Sequence, residues 1–249
     1  MMADRTPENW YGLKGWIDER YFKFNKSTDW QSTFDSNLDK TIYGVLRKPI
    51  PDFTTNPMYC LGGIALTAFL IQLMTGPLLA MYYRPTPDQA YESVVFITTQ
   101  VYLGNLIRGM HHWGANFMMA AVSLHMLRVF FTGAYKKPRE LTWLMGLALL
   151  ALTLTQGLTG YVLPWNQLGY WATNIVVQIA GSFPVVGPPM AKLAQAGDVI
   201  GGKTLTRFYI LHVLVIPGTL VGLLGLKFAM IRRQAISGKR DPDFVSGGL

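Results

Sequence analysis

The chain has 249 residues, half of them hydrophobic, 13% aromatic and only 14% charged, with a formal net charge of +8. That composition belongs to a membrane protein and excludes a charge-rich soluble domain of this size. The basic excess is uneven along the chain, which points to membrane topology and lipid headgroups as its acidic partner, and away from nucleic acid.

Residues 1–56 mix aromatics with charges, as in "WYGLKGWIDERYFKFNKSTDW". They are read as an N-terminal extension ending in an interfacial amphipathic helix over 33–48. The opening "MMADRTPENWYGLKGW" lacks the basic-then-apolar pattern of a cleaved signal and is taken as mature sequence. Four nearly uncharged stretches follow, at 58–81, 109–131, 143–163 and 208–230. Each is long enough, at about 1.5 Å per residue, to cross roughly 30 Å of hydrocarbon. The predicted fold is an all-α membrane protein, a four-transmembrane-helix bundle over 57–232 with a C-terminal tail at 233–249. Pro77 and Pro217 fall inside spans, where neighbouring groups can satisfy the freed backbone.

Lys and Arg concentrate in 1–56, in "TGAYKKPREL" between spans two and three, and after Met230. In contrast, 82–105 holds only Arg84, and 165–206 only Lys192 and Lys203. Both termini are therefore expected on the cytoplasmic, electrically negative side. The Gly- and Pro-rich stretch 181–208 is then a structured positive-side loop, with a short helix predicted at 190–196.

The candidate chemistry lies inside the spans. His111 and His125 are 14 residues apart, almost four helical turns, so they share one face with about 21 Å of rise between them. Span four runs parallel to span two, which sets His212 at the depth of His111 and Lys227 at the depth of His125. Facing nitrogen donors between helices suit haem iron, whereas zinc wants four compact ligands. Gly62 and Gly76 in span one, and Gly146 and Gly160 in span three, repeat the 14-residue interval and open space at both depths. Arg108 and Arg128 stand one turn outward from His111 and His125, where guanidinium suits an anionic propionate. His112 is turned about 100° from the ligand face. Cys60, at the negative-side end of span one, excludes an internal disulfide and a cysteine-only metal site.

Lys227 is the anomaly. A lysine deep in a span costs about 2.5–3.5 kcal/mol and is usually functional. The competing reading is that Lys227, five residues before Arg232, snorkels to the interface.

With these residues in place, the chain closely resembles the cytochrome b6 family over about 40–238. The segments that carry the resemblance are "MYCLGGIALTAFLIQLMTGPLLAMYYRPT", "KKPRELTW", "GYVLPWNQLGYWA", "TLTRFYILH" and "MIRRQAISG". The resemblance implies two b haems, with His111 and His212 ligating the positive-side one and His125 belonging to the negative-side one. It implies a third haem, a c haem, held by a single thioether to Cys60. It adds Arg232 to the cofactor-binding set and sets Tyr161, Pro164 and Trp165 beside a positive-side quinol site.

The implied function is transmembrane electron transfer in a quinol oxidoreductase of the Rieske/cytochrome b type. The implied partners are a subunit-IV-like membrane chain, a Rieske iron–sulfur protein and a c-type cytochrome. The complex is expected to be dimeric, in a bacterial inner or intracytoplasmic membrane. The rival is a dihaem anchor exchanging electrons between quinone and a peripheral dehydrogenase or reductase.

The family has histidine where Lys227 stands, an arginine at His112 and an acidic residue at Asn166. A lysine ligates iron only as the neutral amine. Three outcomes stay open at the second site: His/Lys ligation, a five-coordinate haem on His125, or an empty site.

Overall fold

The computed structural model describes residues 57–197 and 199–234, with side chains through Ile231. The expected helix at 33–48, the tail 235–249 and the side chain of Arg232 lie outside the described residues. Four helical segments are long and apolar enough to span a membrane. They are α1 (Pro57–Ala80), α3 (Gly104–Phe131), α4 (Glu140–Val162) and a last continuous helix. That helix comprises α7 (Gly202–Ile210), a π-helical turn (Leu211–Val215) and α8 (Ile216–Gln234). No strand occurs among the described residues, and the chain is a membrane protein of the expected all-helical class.

The bundle core sits at mid-membrane, where Ala68, Phe69, Met118, Leu149, Ile216 and Leu220 pack together. Met118 is midway between His111 and His125, so an apolar layer separates two more polar ones. Most of the remaining helix surface is apolar and outward-facing, as at Met74, Trp113 and Phe131, all more than 70% exposed. Lipid or partner helices are its natural solvent.

The structure adds two helices that hydropathy did not reveal. α2 (Ala90–Thr99) buries Ala90, Ser93 and Ile97 on one face. It turns tightly into α3, because a Cβ on Gly104 would overlap the Ile97 carbonyl. α5 (Gln167–Gly181) buries Gly169, Thr173 and Val177. The predicted short helix at 190–196 is present as α6 (Gly187–Gln195), started by Pro188 and Pro189 in the first turn, where proline costs no hydrogen bond.

Asn166 caps α5, its side chain accepting from the Gly169 N–H at 2.9 Å. Asn and Asp serve equally as N-caps, so the departure from an acidic residue leaves this corner intact. The Tyr83 hydroxyl donates to the Leu163 carbonyl at 2.6 Å, and its ring stacks on Tyr209 at 5.4 Å. Burial, and then Tyr209, push the Tyr83 phenol above its ordinary value, which keeps it a neutral donor. At the α6–α7 turn, the Thr204 hydroxyl donates to the Gln195 carbonyl at 2.6 Å, and Arg207 donates to the Leu193 carbonyl.

Candidate functional site

At one level of the bundle, His111 from α3 and His212 from the π-helical turn face each other. Their ring centroids are 6.2 Å apart and the planes are inclined at 74°. Two imidazoles bound to one iron from opposite faces, each with a metal–nitrogen bond of about 2 Å, need roughly this separation.

The hydrogen bonds decide which nitrogen of each ring is available. The Thr75 hydroxyl donates to the Ile71 carbonyl at 2.7 Å, so at 2.8 Å from His111 it accepts from Nδ1–H. The Thr159 hydroxyl donates to the Gln156 carbonyl at 3.0 Å. His212 Nδ1 stands 3.1 Å from that same carbonyl and 3.1 Å from the Thr159 oxygen. A carbonyl only accepts, so Nδ1 carries the proton. In both rings Nε2 is left with its lone pair, the tautomer an iron ligand requires. Replacing Thr75 by valine removes this support at nearly constant volume. We expect it to weaken haem retention by roughly 10–100-fold, the usual cost of losing a group that orients a metal-bound histidine. Haem content through repeated detergent washes measures it, and retention equal to wild type would disprove the role.

Glycines make the close approach possible. A Cβ on Gly160 would stand 2.6 Å from His212 Cε1, and one on Gly76 3.5 Å from His111 Cε1. At the level of His125, a Cβ on Gly62 would stand 3.1 Å from His125 Cε1, and one on Gly146 3.1 Å from Lys227 Nζ. The space predicted for a flat ligand is therefore taken first by the four ligand candidates, one per glycine.

The π-helical turn resolves a mismatch in spacing. His212 and Lys227 are 15 residues apart, not 14. At about 100° per residue, 15 residues overshoot the starting face by about 60°, whereas 14 fall about 40° short, as between His111 and His125. One residue absorbed in the wider turn restores the 14-residue phase. The turn has a local cause. Pro217 lacks the N–H that would bond the Val213 carbonyl, and the Ile216 N–H reaches back five residues to Leu211. Gln156 braces it by donating from Nε2 to the His212 carbonyl at 2.7 Å.

Sequence reasoning missed Thr75, Thr159 and Gln156. A signal was present: Gln-x-x-Thr-Gly occurs at 72–76 and again at 156–160, each time ending on the glycine that meets a histidine. The level of His125 lacks this device, since Leu61 and Met145 precede its glycines, and His125 Nδ1 is buried with no partner among the described residues.

Arg128 is buried with its guanidinium 3.9 Å over the Tyr59 ring, next to Cys60, which is exposed. Burial, and then nearby Arg128, hold the Arg139 guanidinium below its ordinary value. Two such cations at one end of the bundle suit anionic propionates. Arg108 is half-buried one turn before His111, and His112 is exposed.

Tyr161 is exposed, while Pro164 and Trp165 are half-buried at the corner between α4 and α5. Trp165 adopts a left-handed conformation with φ of 49° and packs edge-on against Tyr170. Neither the cleft of about 470 Å³ between Pro85–Pro87 and Gly202–Arg207 nor that of about 160 Å³ beside Leu78 and Tyr102 is lined by Tyr161, Pro164 or Trp165.

Comparison with known proteins agrees with this geometry. The family described as Cytochrome b/b6/petB matches residues 46–235. A cytochrome b6 of Heliobacterium mobile is 50% identical over 200 residues, covering 80% of this chain and 94% of the relative. A cytochrome b6 of Synechococcus sp. (strain JA-3-3Ab) is 50% identical over 183 residues, 74% of this chain and 85% of the relative. Among solved structures, a chain of a hyperthermophilic respiratory Complex III superposes with a TM-score of 0.73 at 30% identity. That match covers 92% of this chain but only 59% of the other. The paired imidazoles, their glycine clearances and these matches lead to one conclusion: the chain belongs to the cytochrome b/b6 family and is a four-span, haem b-binding membrane subunit.

Proposed function

We propose that the chain carries electrons across the membrane from a positive-side quinol site to a negative-side haem or quinone site, through two b haems held between its four spans. As a cytochrome b subunit it takes part in quinol-oxidising electron transfer and belongs to a multi-subunit membrane complex. The observation that carries the finer reading is the His111–His212 pair, 6.2 Å apart with both Nδ1 atoms engaged as donors.

In this reading His111 and His212 ligate the positive-side haem, and His125 holds the negative-side one. Arg108, Arg128 and Arg232 take propionates. Bound haem supplies one-electron redox chemistry; the chain's residues set its ligation, orientation and depth. Cys60 attaches a third haem by one thioether, at the end of the bundle where His125 and Arg128 lie. Tyr161, Pro164 and Trp165 border the quinol.

A partner chain completes that border. Leu168, Trp171, Ile175 and Ile179 form an apolar outer face on α5, each more than half exposed, and contiguous exposed apolar surface marks an interaction site. The partners are a subunit-IV-like membrane chain, a Rieske iron–sulfur protein and a c-type cytochrome. The assembly is dimeric, in a bacterial inner or intracytoplasmic membrane, with both termini on the negative side.

The test is purification from native membranes through a tag on this chain, followed by haem extraction and EPR. Two b haems removed by acid acetone, one haem retained, and a Rieske signal in equal amount are expected. Two b haems without any Rieske protein would favour a dihaem anchor and overturn the quinol-oxidase assignment.

A further inference from the structure

The negative-side level departs from a pair of imidazoles at one position, and the structure shows how that position is used. Each of the other three ligand candidates meets one glycine of a neighbouring helix: His111 meets Gly76, His125 meets Gly62 and His212 meets Gly160. Lys227 completes the set, with Nζ 3.1 Å from a Cβ built on Gly146. Gly146 and Gly160 are 14 residues apart on α4, and the π-helical turn brings Lys227 into the same phase as His212. The amine thus occupies the place that an imidazole would take.

The position of the amine argues against snorkelling. An amine seeking water from this depth would run outward, towards Glu140 at the cytoplasmic start of α4. Instead Nζ lies level with Gly146, six residues further in along α4. Among the described residues, Glu140 is the only acidic residue in any of the four spans, so none of them sets a carboxylate at that depth. A buried ammonium without a counter-ion is costly, whereas a neutral amine with a lone pair is a competent metal donor.

We propose that Lys227 is the axial ligand opposite His125, bound to the negative-side haem iron through Nζ. This rests on the reading that His125 holds a haem. The lysine releases one proton to water and donates the freed lone pair to iron, with no change of oxidation state. The negative-side haem is then amine–imidazole ligated and the positive-side haem is bis-imidazole ligated, so the two differ in donor chemistry as well as in surroundings.

The experiment uses the purified complex, wild type and with Lys227→Ala and Lys227→His. In the wild type, haemochrome analysis gives two b haems per chain, and EPR of the oxidised complex gives two distinct low-spin b signals. In Lys227→Ala one of the two turns high-spin or disappears, while the His111/His212 signal is unchanged. In Lys227→His both stay low-spin, and one moves to a bis-imidazole line shape. Two unchanged low-spin signals in Lys227→Ala, or a wild type with only one b haem, would overturn the assignment. A wild type without any b haem would overturn the underlying reading as well. If Lys227→Ala fails to assemble, near-infrared magnetic circular dichroism of the wild type decides. An amine–imidazole charge-transfer band beside the bis-imidazole one is expected, and bis-imidazole bands alone would sink the proposal.

Discussion

A His212→Ala variant is expected to lose the positive-side b haem, leaving one b haem per chain, and to drop quinol oxidation by at least about 100-fold. The estimate starts from the 10–100-fold cost of removing a group that merely orients a ligand, and loss of the ligand itself must exceed that. The ring is held at Nδ1, which is shared between the Thr159 oxygen and the Gln156 carbonyl at 3.1 Å each. Its backbone carbonyl is held by Gln156 Nε2 at 2.7 Å. Removing it empties the space opposite His111 and takes away the donor that the Thr159 oxygen and the Gln156 carbonyl share, while their own hydrogen bond remains. His112→Ala is the internal control, because that ring is exposed. Haem stoichiometry from pyridine haemochrome spectra reads both variants. A two-haem His212→Ala complex would show that the facing pair is structural only.

Gly160→Ala is expected to be nearly as damaging, although it adds a single methyl group. Its Cβ would lie 2.6 Å from His212 Cε1, well inside van der Waals contact. The imidazole has little freedom to give way, since Nδ1 is anchored on α4 itself. Either the ring turns out of line with His111 or α4 and α7 move apart, and overpacking of this kind costs roughly 1–3 kcal/mol. The clearances predict an order of damage across the four glycines. Gly160 is tightest, Gly62 and Gly146 follow at 3.1 Å each, and Gly76 is mildest at 3.5 Å. Gly63, next to Gly62, has nothing within 4 Å of a built Cβ, so Gly63→Ala should leave haem content unchanged. Haem content and thermal stability of the five alanine variants test the series. Equal losses at Gly63 and Gly160 would mean that the glycines serve helix flexibility and not ligand clearance.

Gly146→Ala carries a second meaning within this series. Its methyl group would press on Lys227 Nζ and on Met126. A lysine tip yields more easily than an imidazole, so the loss should be smaller than in Gly62→Ala and confined to the haem at the level of His125.

The spans, their order, and the two depths of His111/His212 and His125/Lys227 were legible in the amino-acid sequence. All of these follow from local geometry: a helix advances about 1.5 Å and turns about 100° with every residue, whatever surrounds it. The hydropathy needed to cross a bilayer is likewise a property of consecutive residues.

Folding in three dimensions decided the rest. Which glycine meets which ligand depends on how α1 lies against α3 and α4 against the last helix. The roles of Thr75 and Thr159 appear only when another helix brings an imidazole to them. α2 and α5 escaped hydropathy because each is half-polar and gains its stability from one buried face packed on a span. The 15-residue interval from His212 to Lys227 is brought into step by the π-helical turn before Pro217. A single residue absorbed there, under the pull of a missing N–H and a bracing glutamine, is what brings Lys227 round to face Gly146.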